Sequence, residues 1–216
     1  MNFAFLPARA GSKSIKIKNI KKFCGKPLIF WNLDALQKTN AIDKVFVATD
    51  SEEISEIVKS FNFSKVNIFK RSSKNASDGA STESVMLEFL RENFFNESDL
   101  LVLVQATSPF TQHKDFEKAI STIKQKGEGS ILSCTNVKRF FWSDSGIPIN
   151  YDYKNRPRRQ DFNGTLMENG AFYMSFVKDI LRSKNRISGN ITPYKMRDFT
   201  GLEIDEEDDW IIAETL

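Results

Sequence analysis

Residues 100–104, Leu-Leu-Val-Leu-Val, are apolar without a break. A strand with one wet face alternates apolar and polar residues. Unbroken apolarity marks a strand covered on both faces, and so the centre of a parallel sheet between helices. The run stops at Gln105-Ala106-Thr107-Ser108-Pro109, where polar side chains suit a ligand better than a core. Shorter runs at 2–6, 45–49, 66–69 and 130–135 repeat the strand pattern. Stretches with helical spacing separate them: Leu28, Trp31 and Leu36 behind Pro27; Ile54, Val58 and Phe61 behind Asp50-Ser51; Val85, Met86, Phe89 and Leu90; Phe116, Ala119, Ile120 and Ile123 behind His113. Proline in a first turn and Asp or Ser before it are helix starts. The alternation predicts an α/β sandwich with a mostly parallel sheet.

The first strand ends at Pro7 and opens onto Ala8-Arg9-Ala10-Gly11-Ser12-Lys13-Ser14, followed by Lys16, Lys18 and Asn19. No Asp or Glu precedes Asp34, so nothing in the local sequence cancels the field of Arg9, Lys13 and Lys18. A small-residue loop with cations at the carboxyl end of a strand suits an anion, and polyphosphates bind open α/β sheets at that edge. An ordinary basic surface loop is the alternative. Gly11-Ser12-Lys13-Ser14 looks like the tail of a P-loop. That motif needs a glycine five residues earlier, where this chain has Leu6.

At 216 residues, with 40% apolar and 27% charged residues, the chain reads as one domain over 1–216 with a real core. No apolar run approaches the ~20 residues of a membrane span, and no signal-peptide layout opens the chain, so a cytoplasmic protein without membrane association is expected. Two cysteines make no disulfide framework, and a single histidine argues against His-rich metal sites and a His-based triad. His113 reads as a helix-start surface residue.

The alternation lapses after 137. Residues 137–168 form an excursion rich in aromatics and arginines, with Phe140-Phe141-Trp142, Tyr151, Tyr153 and Arg156-Pro157-Arg158-Arg159. Interleaved aromatics and arginines occur in RNA-binding surfaces, but they are also the interface-enriched types; a partner subunit is the preferred reading, with no nucleic-acid partner. Glu168-Asn169-Gly170-Ala171 reads as a turn leading into a strand. Residues 182–193 read as loop. Glu203-Ile204-Asp205 reads as a last short strand with both carboxylates on one side, before a helix that starts at the acidic stretch 206–209. The net charge of +3 therefore hides a basic beginning and an acidic end. Carboxylates near a polyphosphate suggest Mg²⁺.

The stretch LPARAGSKSIKIKNI is similar to the amino-terminal signature of the CMP-sialic acid synthetases (acylneuraminate cytidylyltransferases), in which Ala-Arg-x-x-Ser-Lys and a later Lys-Asn surround the triphosphate of CTP. Further stretches resemble that family in the same order: Gly25-Lys26-Pro27-Leu28, Val47-Ala48-Thr49-Asp50-Ser51, Ala76 to Thr82, Gln105 to Pro109, Arg159-Gln160-Asp161, Asn169-Gly170-Ala171, and Glu203-Ile204-Asp205 with Asp209-Trp210. The resemblance implies a Rossmann-like three-layer nucleotidyltransferase sandwich with a small dimerisation excursion. It implies an enzyme that transfers CMP from CTP to a nine-carbon 2-keto sugar acid and releases pyrophosphate, acting as a homodimer in cell-surface glycan biosynthesis. By the same resemblance Arg9, Lys18 and Asp205 are the catalytic residues. Arg9, Lys13, Lys18, Asn19, Arg71, Ser81 and Thr82 bind the nucleotide; Gln105, Thr107, Ser108, Arg159 and Asn169 bind the sugar; Asp205 and Glu203 hold Mg²⁺.

The chain departs from the pattern in three ways. Ala106 replaces a proline, Glu203 replaces the first of two aspartates, and Met167-Glu168 stands where many sialic acid enzymes carry a second arginine. The last points toward a legionaminic- or pseudaminic-type acid rather than plain N-acetylneuraminate. The rival readings are a CMP-Kdo synthetase and a non-catalytic nucleotide- or RNA-binding protein.

Overall fold

The computed structural model describes residues 1–11, 14–76 and 79–216. Strand β1 (Asn2–Pro7) is followed by a two-residue-strand hairpin, β2 (Lys22–Phe23) and β3 (Lys26–Pro27), and by helix α1 (Leu28–Lys38). Then come β4 (Lys44–Thr49), α2 (Glu52–Ser60), β5 (Val66–Lys70), α3 (Thr82–Glu92), β6 (Leu100–Val104) and α4 (His113–Lys126). The last third holds β7 (Ser130–Val137), β8 (Thr165–Phe176), α5 (Val177–Ser183), β9 (Ile191–Lys195) and α6 (Glu207–Glu214).

Seven strands make one sheet in the order β5-β4-β1-β6-β8-β7-β9. Only β8 runs against its neighbours. Strand β6 is buried at every residue, as its composition requires, but it is parallel to β1 and antiparallel to β8. Burial on both faces removes the alternation that would mark direction, so the sequence pattern places the strand without orienting its partner.

Two apolar clusters flank the sheet. Helices α1, α2 and α4 cover one face with Leu33, Val58 and Phe116, packed on Leu6, Val47, Val102 and Phe172. Helices α3 and α5 cover the other with Met86, Phe89 and Ile180, packed on Phe3, Phe5 and Leu103. Phe5 and Phe89 stack at 4.8 Å between ring centroids. Burying each such ring contributes roughly 1.5–3 kcal/mol. A third cluster, with Ile15, Phe23, Leu28, Ile204 and Trp210, joins the basic loop, the hairpin and α6.

Three expected elements differ. Residues 202–205 pair with no strand among the described residues and are held by the Ile204 amide, which donates to the Thr107 carbonyl at 2.9 Å. Asn169-Gly170 lies inside β8 as a bulge: Leu132 pairs with Tyr173 and Cys134 with Glu168, so Ser133 alone spans Asn169, Gly170, Ala171 and Phe172. Gly170 takes the left-handed φ of 65° that the bulge needs. The stretch 182–193 expected as loop already holds the first three residues of β9, an edge strand that accommodates Pro193, whereas Tyr194 and Lys195 are extended as their composition suggests. The excursion between β7 and β8 folds on its own aromatics, with Phe140 stacked on Tyr151 at 4.1 Å and the Arg156 guanidinium 4.7 Å from the Phe140 ring centroid.

Candidate active site

The carboxyl ends of β1, β5 and β6 and the 202–205 segment enclose a cavity of about 330 Å³. Eight of the residues expected at a site line it: Arg9, Asn19, Arg71, Thr82, Gln105, Thr107, Glu203 and Asp205. Lys18 reaches it through Asp205, since its ammonium donates to Asp205 Oδ1 at 3.0 Å and to the Ile204 carbonyl at 2.9 Å. Lys13 lies outside the described residues, as do Ser77 and Asp78 of the polar loop.

On one side of the cavity, Pro7 ends β1 and the chain turns through Arg9. The Asn19 amide donates to the Arg9 carbonyl at 3.0 Å, and the Ala10 amide donates to Asp50 Oδ1 at 3.3 Å. Arg71 is only 7% exposed. Its guanidinium donates to the Asn75 carbonyl, and its Nε has no partner. Burial pulls the Arg71 pKa down; Asp50 counters this and neighbouring Arg9 adds to it. A buried cation with an unsatisfied donor, within the field of a second arginine, favours an anionic ligand. Asn75 is in turn held by Glu88 Oε2 at 2.8 Å. Burial works against the Glu88 charge, but hydrogen bonds from Ser72 and Asn75 hold its carboxyl below the usual range. Ser81 caps α3, its hydroxyl accepting from the Ser84 amide at 3.1 Å, and Thr82 at the first helical position faces the cavity.

On the opposite side, Glu203 Oε1 accepts from the Thr107 hydroxyl at 2.9 Å. The Gln105 carboxamide, oriented with its nitrogen as donor, reaches the same oxygen at 2.9 Å and the Gly170 carbonyl at 3.0 Å. Burial pushes the Glu203 carboxyl up; the Thr107 bond opposes this, and Asp205 reinforces it. Asn32, wholly buried on α1, donates to the Gln105 carbonyl at 3.3 Å from beneath.

Three expected sugar-side residues stand apart from the cavity. Ser108 is buried with its hydroxyl on the Asn169 carbonyl, and the Asn169 amide donates to the Thr200 carbonyl at 3.1 Å. Arg159 lines a separate groove of the excursion, together with Arg139, Trp142 and Tyr151. Met167 and Glu168 are exposed, and the Glu168 carboxylate accepts from the Tyr173 hydroxyl. Asp50, Asn75, Glu88 and Asn32 were not foreseen as supports. Asp50 carried a signal, an acid at a strand end, that reads equally well as a helix cap.

Arginines and carboxylates thus converge at the strand ends of a mostly parallel three-layer sandwich. The chain belongs to the cytidylyltransferase family, whose model matches residues 3–210. It is 34% identical over 218 residues to N-acylneuraminate cytidylyltransferase A of Danio rerio, an alignment covering 98% of this chain and 49% of the fish protein. It is 25% identical to the CMP-N,N'-diacetyllegionaminic acid synthase of Legionella pneumophila, covering 99% of this chain and 94% of that one. The chain thus spans about half the length of the fish relative and nearly all of the bacterial one. A solved structure of CMP:2-keto-3-deoxy-manno-octonic acid synthetase with CTP shares the fold, at TM-score 0.71 and 16% identity over 100% of this chain and 99% of that one. Among the described residues no helix is long and apolar enough to cross a membrane.

Proposed function

We propose that the protein activates a nine-carbon 2-keto sugar acid of the sialic type with CTP, giving the CMP-sugar and pyrophosphate. The observation that carries this is the meeting of Arg9, Arg71 and the Lys18–Asp205 pair at one cavity, opposite Gln105 and Thr107. In the proposed reaction the anomeric hydroxyl attacks the α-phosphorus and pyrophosphate leaves. Such a step needs positioning and charge neutralisation more than covalent help.

Arg9, Lys18 and Arg71 bind and neutralise the phosphates, with Lys13 as an assistant; Asn19 holds the loop and, with Ser81 and Thr82, meets the base and ribose. Gln105 and Thr107 orient the acid, and Ser108 and Asn169 shape the wall behind them. Asp205 presents an exposed carboxylate beside the phosphate side, and a hard oxygen there suits Mg²⁺, which binds through one or two carboxylates and substrate phosphates. The ion, when bound, supplies charge for the phosphates. The fish and Legionella relatives are named for an N-acylneuraminate and a diacetylated legionaminate. The exposed Glu168 in place of an arginine favours an acid bearing extra acylamino donors.

The excursion forms a homodimer interface. Its exposed Trp142, Ile147 and Ile149 are the kind of surface a second copy covers, and Arg159 then reaches the partner's acid. Both cysteines are free, which suits the cytoplasm. Mass spectrometry of the product from CTP and a nine-carbon acid tests the proposal directly: a CMP-sugar supports it, and unchanged CTP across the acids tried counts against it.

A further inference from the structure

We propose that Glu203 is a positioning residue for the sugar acid and takes no part in holding the metal, which falls to Asp205 of the two carboxylates that border the cavity. The inference builds on the cytidylyltransferase reading and assigns one residue within it. Two neighbouring carboxylates, Glu203 and Asp205, border the cavity, but their surroundings differ. Glu203 Oε1 is shared by two donors, the Thr107 hydroxyl and the Gln105 amide, each at 2.9 Å. The head group is also wedged against the bulge of β8: a Cβ on Gly170 would fall 3.0 Å from each Glu203 oxygen and 2.9 Å from the Gln105 carboxamide. The bulge glycine therefore makes the room that this longer carboxylate occupies. Ile204 then fastens the segment to the Thr107 carbonyl at 2.9 Å.

To ligate a metal, Glu203 would have to leave both donors and the glycine niche, stranding the Thr107 hydroxyl and leaving the Gln105 amide only the Gly170 carbonyl. Asp205 faces no such loss. Its side chain is 62% exposed, and its bond is to a lysine whose ammonium can move to a phosphate oxygen. One carboxylate with substrate phosphates and water is a sufficient Mg²⁺ set. The extra methylene of Glu203 thus serves the strand end: it fixes the rotamers of Gln105 and Thr107 before the acid arrives.

The test measures Mn²⁺ binding by electron paramagnetic resonance in the presence of CTP, alongside steady-state kinetics with whichever of N-acetylneuraminate, N,N'-diacetyllegionaminate or pseudaminate the wild type uses best. For Glu203→Ala, Mn²⁺ affinity and the KM for CTP stay within about twofold of wild type, while the KM for the acid rises about tenfold or more. Glu203→Gln keeps an acceptor oxygen for both donors and recovers most of that KM, which loss of a metal ligand would not allow. Asp205→Asn loses Mn²⁺ binding. A tenfold or so weakening of Mn²⁺ in Glu203→Ala, or an unchanged acid KM, overturns the assignment. Wild-type protein that turns over none of the acids instead counts against the cytidylyltransferase reading itself, while the Mn²⁺ arm still decides whether Glu203 is a ligand.

Discussion

Lys18 and Asp205 stand 187 positions apart in the chain and 3.0 Å apart in space. Around them Ser14 donates to Glu206 Oε1 at 2.9 Å, and Lys21 bonds both oxygens of Glu207 at 2.9 and 2.7 Å beside the Trp210 ring. The basic beginning and the acidic end of the sequence therefore meet at the cavity.

Lys18→Ala and Asp205→Ala are expected to lower kcat by roughly 10²–10³ while leaving the fold intact. The pair is largely open to solvent on the Asp205 side, so its removal costs at most about 1 kcal/mol. Circular dichroism and thermal melting read the second part, and single-turnover kinetics the first. Near-normal turnover in either variant removes that residue from the catalytic set.

Gly170→Ala places a methyl group against Gln105 and Glu203 at a φ of 65°. A stability loss of roughly 1–2 kcal/mol is expected, together with a raised KM for the sugar acid. Chemical denaturation and kinetics check the two effects. A variant of wild-type stability would mean that the bulge relaxes freely.

Arg186 Nε donates to Glu83 Oε1 at 2.6 Å, joining the loop before β9 to the first turn of α3. That bond holds the Glu83 carboxyl below its ordinary value, against the opposing effect of burial. A depressed folded pKa gives stability that is present above the unfolded value, near 4.5, and is lost as pH falls through the folded value. Glu83→Gln is therefore expected to lower stability by about 1–2 kcal/mol at pH 7, with the gap to wild type closing in acid. Melting curves from pH 3 to about pH 7 test the sign, and a gap independent of pH would contradict it.

Arg159 is exposed and remote from its own cavity, so a role at the partner's site predicts complementation. Arg159→Ala and Lys18→Ala proteins, each weak alone, should recover about a quarter of wild-type activity after unfolding and remixing, because half of the dimers then hold one complete site. No recovery would place Arg159 outside the reaction or leave the protein monomeric.

Much of this was legible in the sequence because strands leave short apolar runs, unbroken where both faces are covered, as in β6, and still recognisable in the half-buried edge strand β5. The runs at 2–6, 45–49, 66–69 and 100–104 are strands β1, β4, β5 and β6, and Ser51 caps α2 as expected. Strand direction was not legible: β8 is antiparallel, and nothing in Phe172-Tyr173-Met174 records that. The Asn-Gly pair reads locally as a turn, whereas the sheet absorbs it as a bulge opposite Ser133. Glu203-Ile204-Asp205 has strand composition but pairs with no strand among the described residues; the Thr107 carbonyl takes the Ile204 amide and Lys18 the Ile204 carbonyl. Site residues chosen for charge or amide chemistry, such as Arg9, Arg71 and Gln105, converge on the cavity. Ser108 and Asn169 have equally suitable chemistry and are buried behind it, because a short motif does not state which face of the turn each side chain takes.

The most direct measurement is pyrophosphate release by the purified protein from CTP and Mg²⁺ with N-acetylneuraminate, N,N'-diacetyllegionaminate, pseudaminate and Kdo, each with and without EDTA. Release with a nine-carbon acid, abolished by EDTA, is the predicted result. Release with Kdo alone would keep the chemistry and contradict the substrate. No release with any acid, from folded protein shown to bind CTP, would contradict the account.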